Sequence, residues 1–318
     1  MKSVSIIMPT FNSIRTIEIC LKSIREQDYQ GEMEIIAADS GSTDGTKEIL
    51  KKYNCQVVKE RSHNPETAKA IGLKEAKGEL VLLLASDNVL PDKLWLKRMA
   101  DSLLKEPQAV AAYPWRYAYR KEDTSLNRYF ALMGANDPLA WFMGKADRQS
   151  YLVNENRKTK LVKFNLKNMP TLGDNGVLVW REKLMKAKVD EKNFSHIDVF
   201  YDLVSLGMDQ FVVVKQTIIH DTGESFWVFI KKRRQYMERL YLQQIKMRRY
   251  QWVRNYQDGL RLGLFIIYSL TVVGPMVTAV SGWRKKPDLA WFWQPIMCFS
   301  LVWVYGLSLI GNRFYEKN

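Results

Sequence analysis

The sequence predicts an α/β domain with a mostly parallel sheet, followed by a basic amphipathic helix and two transmembrane helices. Three observations carry this: alternating strand-like and helix-like periodicity over about the first 220 residues, two long uncharged segments near the C-terminus, and positive charge concentrated in the tail. The 318 residues are enough for a real core in one or two domains, and they exclude a disulfide-stapled miniprotein or a wholly disordered chain. Cys20, Cys55 and Cys298 lie far apart and form no CxxC or metal-ligand spacing. They read as buried free thiols in a reducing compartment.

Met1-Lys2-Ser3 leads directly into the first strand, so no signal peptide is expected there. Strand-like runs at residues 4–8, 34–38, 56–58, 80–84 and 109–113 are separated by helix-like stretches at 13–27, 44–53, 66–76 and 92–105. This repetition makes a sheet whose ligands bind beyond the carboxyl ends of its strands. Pro9-Thr10-Phe11-Asn12 follows the first strand, Asp39-Ser40-Gly41-Ser42-Thr43-Asp44-Gly45 the second, and Ala85-Ser86-Asp87-Asn88 the fourth. A strand-end Asp such as Asp39 can accept from a base or a ribose hydroxyl. A second one on the same crevice, Asp87, is a hard oxygen ligand for Mg2+ or Mn2+ bridging phosphates. Turn and N-cap chemistry competes as an explanation of these loops and is preferred for Asp44.

Residues 225–318 carry fifteen basic and four acidic groups, so +11 of the formal charge of +14 sits in the tail. The first 224 residues hold 33 basic and 30 acidic groups, an ordinary balance for a soluble domain. Phe229, Ile230, Tyr236, Met237, Tyr241 and Ile245 recur near helical spacing with Lys231, Arg234, Arg239 and Lys246 on other faces. That pattern predicts an interfacial helix on anionic membrane lipid; a nucleic-acid arm is the rival reading of the basic run, disfavoured by the adjacent apolar segments.

Residues 262–283 and 289–312 contain no Asp, Glu, Lys or Arg, and at 22 and 24 residues each can span a bilayer. Two buried core helices are the alternative. The connector Arg284-Lys285-Lys286-Pro287-Asp288 forces an antiparallel hairpin whose basic turn conflicts with the positive-inside rule if both spans cross. The nine basic residues between Lys231 and Arg254 outweigh it, so the N-terminal domain is expected on the cytoplasmic face of the cell membrane. The hairpin then either crosses or enters one leaflet. The expected organisation is a domain at 1–222, the interfacial helix at 223–258 and the hairpin at 259–318.

The runs VSIIMPTFN, EIIAADSGSTDGT and AKAIGLKEAKGELVLLLASDN, at these spacings, resemble the family 2 glycosyltransferases of GT-A fold. Their pattern is a Pro-Thr-Tyr-Asn-like loop, a VVDDGSTDGT-like turn, an ARN-x-G segment and a DxD motif. The resemblance implies a nucleotide-sugar donor whose base and ribose are held by Pro9, Thr10, Phe11 and Asp39. It implies that Lys69 contacts the nucleotide or its phosphates, with Gly72 in the family's glycine position. Ser86 and Asp87 would meet the donor, Asp87 also holding a divalent cation, Mn2+ or Mg2+. Ala85 stands where the motif has its first Asp, which removes one carboxylate. His220 resembles the C-terminal His that many GT-A enzymes direct at the metal or diphosphate.

Inverting transfer needs a general base beside the acceptor hydroxyl. The stretch Ser195-His196-Ile197-Asp198 resembles the family's Glu-Asp motif without an intact pair, so Asp198 is the expected base and His196 its substitute. Gly173-Asp174-Asn175 resembles the acceptor-side loop, and Lys232 and Arg233 are assigned to the departing diphosphate. The resulting expectation is a membrane-associated inverting glycosyltransferase acting on a lipid-linked or glycan acceptor, with no nucleic-acid partner. A noncatalytic assembly partner in glycan biosynthesis and a polysaccharide synthase are the alternatives.

Overall fold

The computed structural model describes residues 1–154, 159–223 and 225–315. The chain divides into two compact units, Met1–Ala118 with Asn156–Asp221, and Tyr119–Glu155 with Thr222–Asn318.

The first unit is built on nine strands: β1 (Val4–Thr10), β2 (Met33–Asp39), β3 (Gln56–Lys59), β4 (Leu80–Leu84), β5 (Asn88–Val89), β6 (Ala111–Tyr117), β7 (Lys160–Lys163), β8 (Asn175–Trp180) and β9 (Gln210–His220). They form one sheet in the order β3-β2-β1-β4-β8-β6-β9-β5, with β7 also paired to β9. β1 runs parallel to β2 and β4, and β2 to β3. β6 and β9 are also parallel, but the rest of the pairing departs from expectation. β8 is antiparallel to both β4 and β6, and β5 and β7 are antiparallel to β9, so the sheet is mixed. Antiparallel neighbours need no crossover helix, and the alternation of strands and helices in the first half could not announce them.

The helices Ile14–Arg25, Thr46–Lys52, Pro65–Glu75 and Trp95–Leu104 fall within the expected stretches or one residue outside them. β4 is buried along its whole length, as the uninterrupted apolar run Leu80–Leu84 requires of a central strand. The Pro65–Glu75 helix starts with Pro at its first turn, and Asn64 caps it by accepting from the Glu66 backbone N–H. A Cβ at Gly72 would lie 2.7 Å from Ile7 Cγ2, so glycine lets this helix settle onto β1. That close approach sets the depth at which Glu66 and Lys69 enter the unit.

The second unit joins residues 119–155, expected within a domain at 1–222, to the tail. The reason is apolar: Leu126, Tyr129, Phe130 and Met133 of the Ser125–Met133 helix cluster with Phe229, Trp291, Met297 and Leu301. The interfacial helix expected through residues 223–258 is shorter. Phe226–Gln235 is α-helical, Tyr236–Leu242 continues as a π-helical turn, and regular structure resumes only at Tyr256. The first expected span is also broken. Tyr256–Thr271 and Val273–Lys285 meet at a bend of 82°, where Val272 has φ of 62°. A left-handed β-branched residue cannot continue an α-helix, so residues 262–283 are not one straight span. Among the described residues one straight helix, Leu289–Gly311, is long and apolar enough to cross a membrane.

Gly176, in β8 beside the candidate site, has φ of 80°, and a Cβ there would lie 2.5 Å from Ile218 Cδ1 and 3.2 Å from Trp95 Cη2. The Trp95 ring is pinned because its Nε1 donates to the Thr217 carbonyl at 2.7 Å. Gly176→Ala is therefore expected to destabilise the fold by about 2 kcal/mol, read as a lowered denaturation midpoint.

Candidate active site

The carboxyl ends of β1 and β2 carry loops tied to one another. Asp39, 3% exposed, accepts from the Gly41 and Ser42 backbone N–H groups through Oδ1 and from the Thr10 and Ser42 hydroxyls through Oδ2. Its lone pairs are engaged in fixing the loop, and a ribose would have to share them. Asn12 locks the two loops by donating its backbone N–H to Ser42 Oγ and accepting from the Thr43 N–H. Asp44 takes the structural part foreseen for it, accepting from the backbone N–H groups of Ile14 and Thr46 at two helix starts. Phe11 follows Pro9 and Thr10 and is 51% exposed, its ring set edge-on 5.0 Å from His63, a residue sequence reasoning passed over.

The β4 end builds a second group. Ser86 Oγ lies 3.0 Å from Ser13 Oγ. Asp87 Oδ2 is 3.3 Å from His220 Nε2, whereas Asp87 Oδ1 is buried with no hydrogen-bond partner. The antiparallel pairing of Asn88 with His220 brings the two together, and the Asp221 N–H donates to the Asp87 carbonyl. Tyr117 stacks on the His220 ring at 5.5 Å and accepts from Asn175 Nδ2 at 2.8 Å. An orphaned carboxylate oxygen next to an imidazole is a donor set that suits Mn2+ or Mg2+ when phosphate oxygens complete the shell. Among the described residues no group of three or more His, Cys, Asp or Glu is arranged to hold a metal ion, and Ala85 stands at the motif's first position. Arg15, also missed in the sequence, donates to the Asp221 carboxylate at 3.1 Å and to its carbonyl at 2.9 Å.

The third group is built around a buried lysine. Lys69 Nζ lies 2.8 Å from Glu66 Oε1, 2.7 Å from Asp174 Oδ2 and 3.2 Å from His196 Nδ1, with its side chain 2% exposed. Its charge is taken up inside the fold. His196 opens the His196–Ser205 helix, donates its backbone N–H to Glu66 Oε2 and places Nδ1 2.8 and 2.9 Å from the two carboxylate oxygens. Burial would raise the Glu66 carboxyl, but His196 and Lys69 outweigh it and hold it well below the usual range. Burial likewise opposes the lowering of Asp174 by Lys69 and His196, and the lowering wins. For Lys69, burial favours the neutral amine, yet Asp174 and Glu66 raise it above its ordinary range.

So Lys69, Asp174 and His196, assigned from sequence to nucleotide, acceptor loop and base, form one cluster around Glu66, which the sequence reading missed. Glu66 and Lys69 are three apart on a helix face otherwise made of Ala, Gly and Leu, and that pair of charges on a buried face was the available signal. Gly173 is buried in the same loop. Asp198 is 1% exposed in the first turn of the helix, whereas the His196 side chain keeps 20% of its surface. Lys232 and Arg233 belong to the second unit, where Arg233 donates to the Asn136 carbonyl and covers the Phe229 ring at 5.0 Å.

The family model described as Glycosyl transferase family 2 matches residues 5–168. The chain is 25% identical over 133 residues to Glycosyltransferase AglE of Haloferax volcanii, a match covering 40% of this chain and 43% of that protein. It is 35% identical over 99 residues to the GalNAc(5)-diNAcBac-PP-undecaprenol beta-1,3-glucosyltransferase of Campylobacter jejuni, covering 28% of this chain and 31% of the relative. The chain thus spans less than half the length of these curated relatives. Mannosyltransferase PcManGT of Pyrobaculum calidifontis, solved with GDP-Man and Mn2+, matches with a TM-score of 0.55 at 15% identity, over 96% of this chain and 86% of that one. That likeness is one of fold.

Removing the ammonium would leave the Glu66 and Asp174 carboxylates without the cation they share. Lys69→Met is expected to cost about 3–5 kcal/mol in equilibrium denaturation at neutral pH. Because the folded carboxyls of Glu66 and Asp174 sit below their unfolded values, the stability they contribute is present above about pH 4.5 and declines as pH falls toward the folded values. A denaturation series from pH 7 to pH 3 should show that decline in the native chain and a weaker one in Lys69→Met.

Proposed function

The chain belongs to glycosyl transferase family 2, and from that membership and the geometry of its site we propose that it transfers a sugar from a nucleotide-diphosphate donor to a lipid-linked or glycan acceptor, with inversion at the anomeric carbon. The observation that carries the reading is the pairing of Asp87 with His220 beside an unpartnered carboxylate oxygen, at the strand ends where the fold binds ligands. Asp87 and His220 would hold a divalent cation, which when bound neutralises charge on the donor diphosphate. The loops of Pro9, Thr10, Phe11 and Asp39 take the base and ribose, with Ser86 on the donor side. Arg15, held by Asp221, adds a positive charge within the same unit.

In the transfer, the acceptor hydroxyl oxygen bonds to the anomeric carbon as the bond from that carbon to the diphosphate oxygen breaks. The hydroxyl proton passes to a base, and the nucleoside diphosphate leaves with the bonding pair. We assign the base to His196, reversing its rank below Asp198. Carboxylate oxygens only accept, so we take Nδ1, within 2.9 Å of both oxygens of Glu66, as the donor nitrogen of the ring. That leaves the Nε2 lone pair for the incoming proton. Glu66 is then a positioning residue that fixes tautomer and ring orientation, and Lys69 and Asp174 hold Glu66 in turn.

An acceptor on a polyprenyl carrier is supported by the apolar, basic second unit and by the undecaprenyl-linked substrate named for the Campylobacter jejuni relative. Attachment to the membrane would confine the chain to the surface that bears such an acceptor. The charge of the tail supports a cytoplasmic orientation.

The reading is checked with a panel of nucleotide sugars and lipid-linked acceptors in Mn2+ or Mg2+. Asp87→Ala is expected to lower kcat about 100-fold or more and to weaken donor binding by calorimetry. His196→Gln should lower kcat by about 10² to 10⁴ while donor binding is kept. Nucleotide-sugar binding without any turnover in the native chain would instead favour the noncatalytic assembly partner.

A further inference from the structure

Resting on the membrane attachment argued above, we propose that the second unit binds a single leaflet, with the Tyr256–Thr271 and Val273–Lys285 helices inserted apex first as a V and no helix crossing the bilayer.

The basic turn supplies the first argument. Asp288 accepts from Tyr119 Oη at 2.6 Å and from Arg128 Nε at 2.8 Å and Nη2 at 3.2 Å. Lys286 Nζ stands 4.2 and 4.9 Å from the ring centres of Tyr119 and Tyr151, and Lys285 Nζ donates to the Leu152 carbonyl. The described part of residues 119–155 contains no helix able to cross a membrane, and the chain enters that segment from the sheet unit and returns to it. The segment stays on the sheet unit's side, and a turn bonded to it stays there too. A chain that enters the bilayer after Tyr256 and is back on the same side at Arg284 has not crossed. The conflict between this basic turn and the positive-inside rule disappears with it.

Length and angle give the depth. At 1.5 Å per residue the 16-residue and 13-residue helices are about 24 and 20 Å long. With equally tilted arms, the 82° bend puts the apex about 13–16 Å below the open ends, half of a hydrocarbon core about 30 Å thick. The bend is held from inside: Tyr268 Oη and Thr278 Oγ1 are 2.8 Å apart across it, and Gly274 packs so tightly that a Cβ would lie 2.2 Å from the Tyr268 ring. Ile267, Val273 and Val277, near the apex, are 61%, 68% and 60% exposed. Charge returns only away from the apex, with Asp258 and Arg261 on one arm and Arg284 and Lys285 on the other, toward the anionic headgroups.

The Trp293–Tyr315 helix does not cross either. Trp293 Nε1 donates to Ser125 Oγ at 3.0 Å, Tyr305 Oη to Asp137 Oδ2 at 2.5 Å and Ser308 Oγ to Glu238 Oε1 at 3.4 Å. Trp293 and Ser308 are about 22 Å apart along the axis. A perpendicular crossing would drag the carboxylates of Asp137 and Glu238 through the hydrocarbon, which strongly disfavours them. The helix therefore lies along the unit.

Single-cysteine variants of the full chain, with Cys20, Cys55 and Cys298 replaced by Ala, test this in sealed vesicles of both orientations with a membrane-impermeant maleimide. Lys285→Cys and Lys47→Cys, the latter on the sheet unit, are expected to label from the same face, and Val273→Cys from neither. Labelling of Lys285→Cys from the face opposite to Lys47→Cys overturns the single-leaflet arrangement. Arg284→Cys repeats the measurement without touching the Lys285 contact. Failure of the native chain to float with vesicles containing phosphatidylglycerol overturns the membrane reading itself, so the two failures are told apart.

Discussion

Lys69 shares its ammonium between Glu66 and Asp174, and His196 leans on the same Glu66 carboxylate from a third stretch of chain. Four groups from the Pro65–Glu75 helix, the approach to β8 and the start of the His196–Ser205 helix thereby become one interlocked unit inside the sheet domain. None is stable there alone. An isolated buried charge is costly, so each segment can take its place only when the others do. Gly72 serves the same end by letting the helix that carries Glu66 and Lys69 sit against Ile7. The price is that these charges are committed to one another before any substrate arrives.

Charge is allotted differently elsewhere. Around Asp87 the balance is left open: one carboxylate oxygen has an imidazole beside it and the other has no partner, which suits a group that comes and goes. In the second unit the excess is positive and sits at the ends of apolar helices. An interlocked interior network, an incomplete anionic corner and a cationic rim are three different uses of ionisable side chains in one chain.

Much of the sheet unit was legible from local pattern. The strands β1, β2, β3 and β4 and the helices between them follow from apolar periodicity and from turn residues at their ends. β8 did not reveal its direction, because antiparallel insertion between β4 and β6 depends on partners far away in sequence. Asp87 and His220 were singled out for one metal site, whereas Lys69, Asp174 and His196 were singled out for separate roles and their grouping was not foreseen. Glu66 hid as an ordinary acidic residue in a helix's first turn, where such residues are favoured by the dipole. The break at Val272 was invisible to hydropathy, since both arms are equally apolar. Gly274 and Pro275, just beyond it, were its only local signs.

Residues 119–155 leave the sheet unit after β6 and return before β7, and the helix they carry is covered by residues beyond 222. A chain ending at β9 would keep the Ser125–Met133 helix and lose its cover, turning Leu126, Tyr129, Phe130 and Met133 toward water. The second unit is therefore not an appendage that recombination could add or drop as a block. It is threaded into the gene at two places, and any ancestor that gained it, or descendant that sheds it, must change both together.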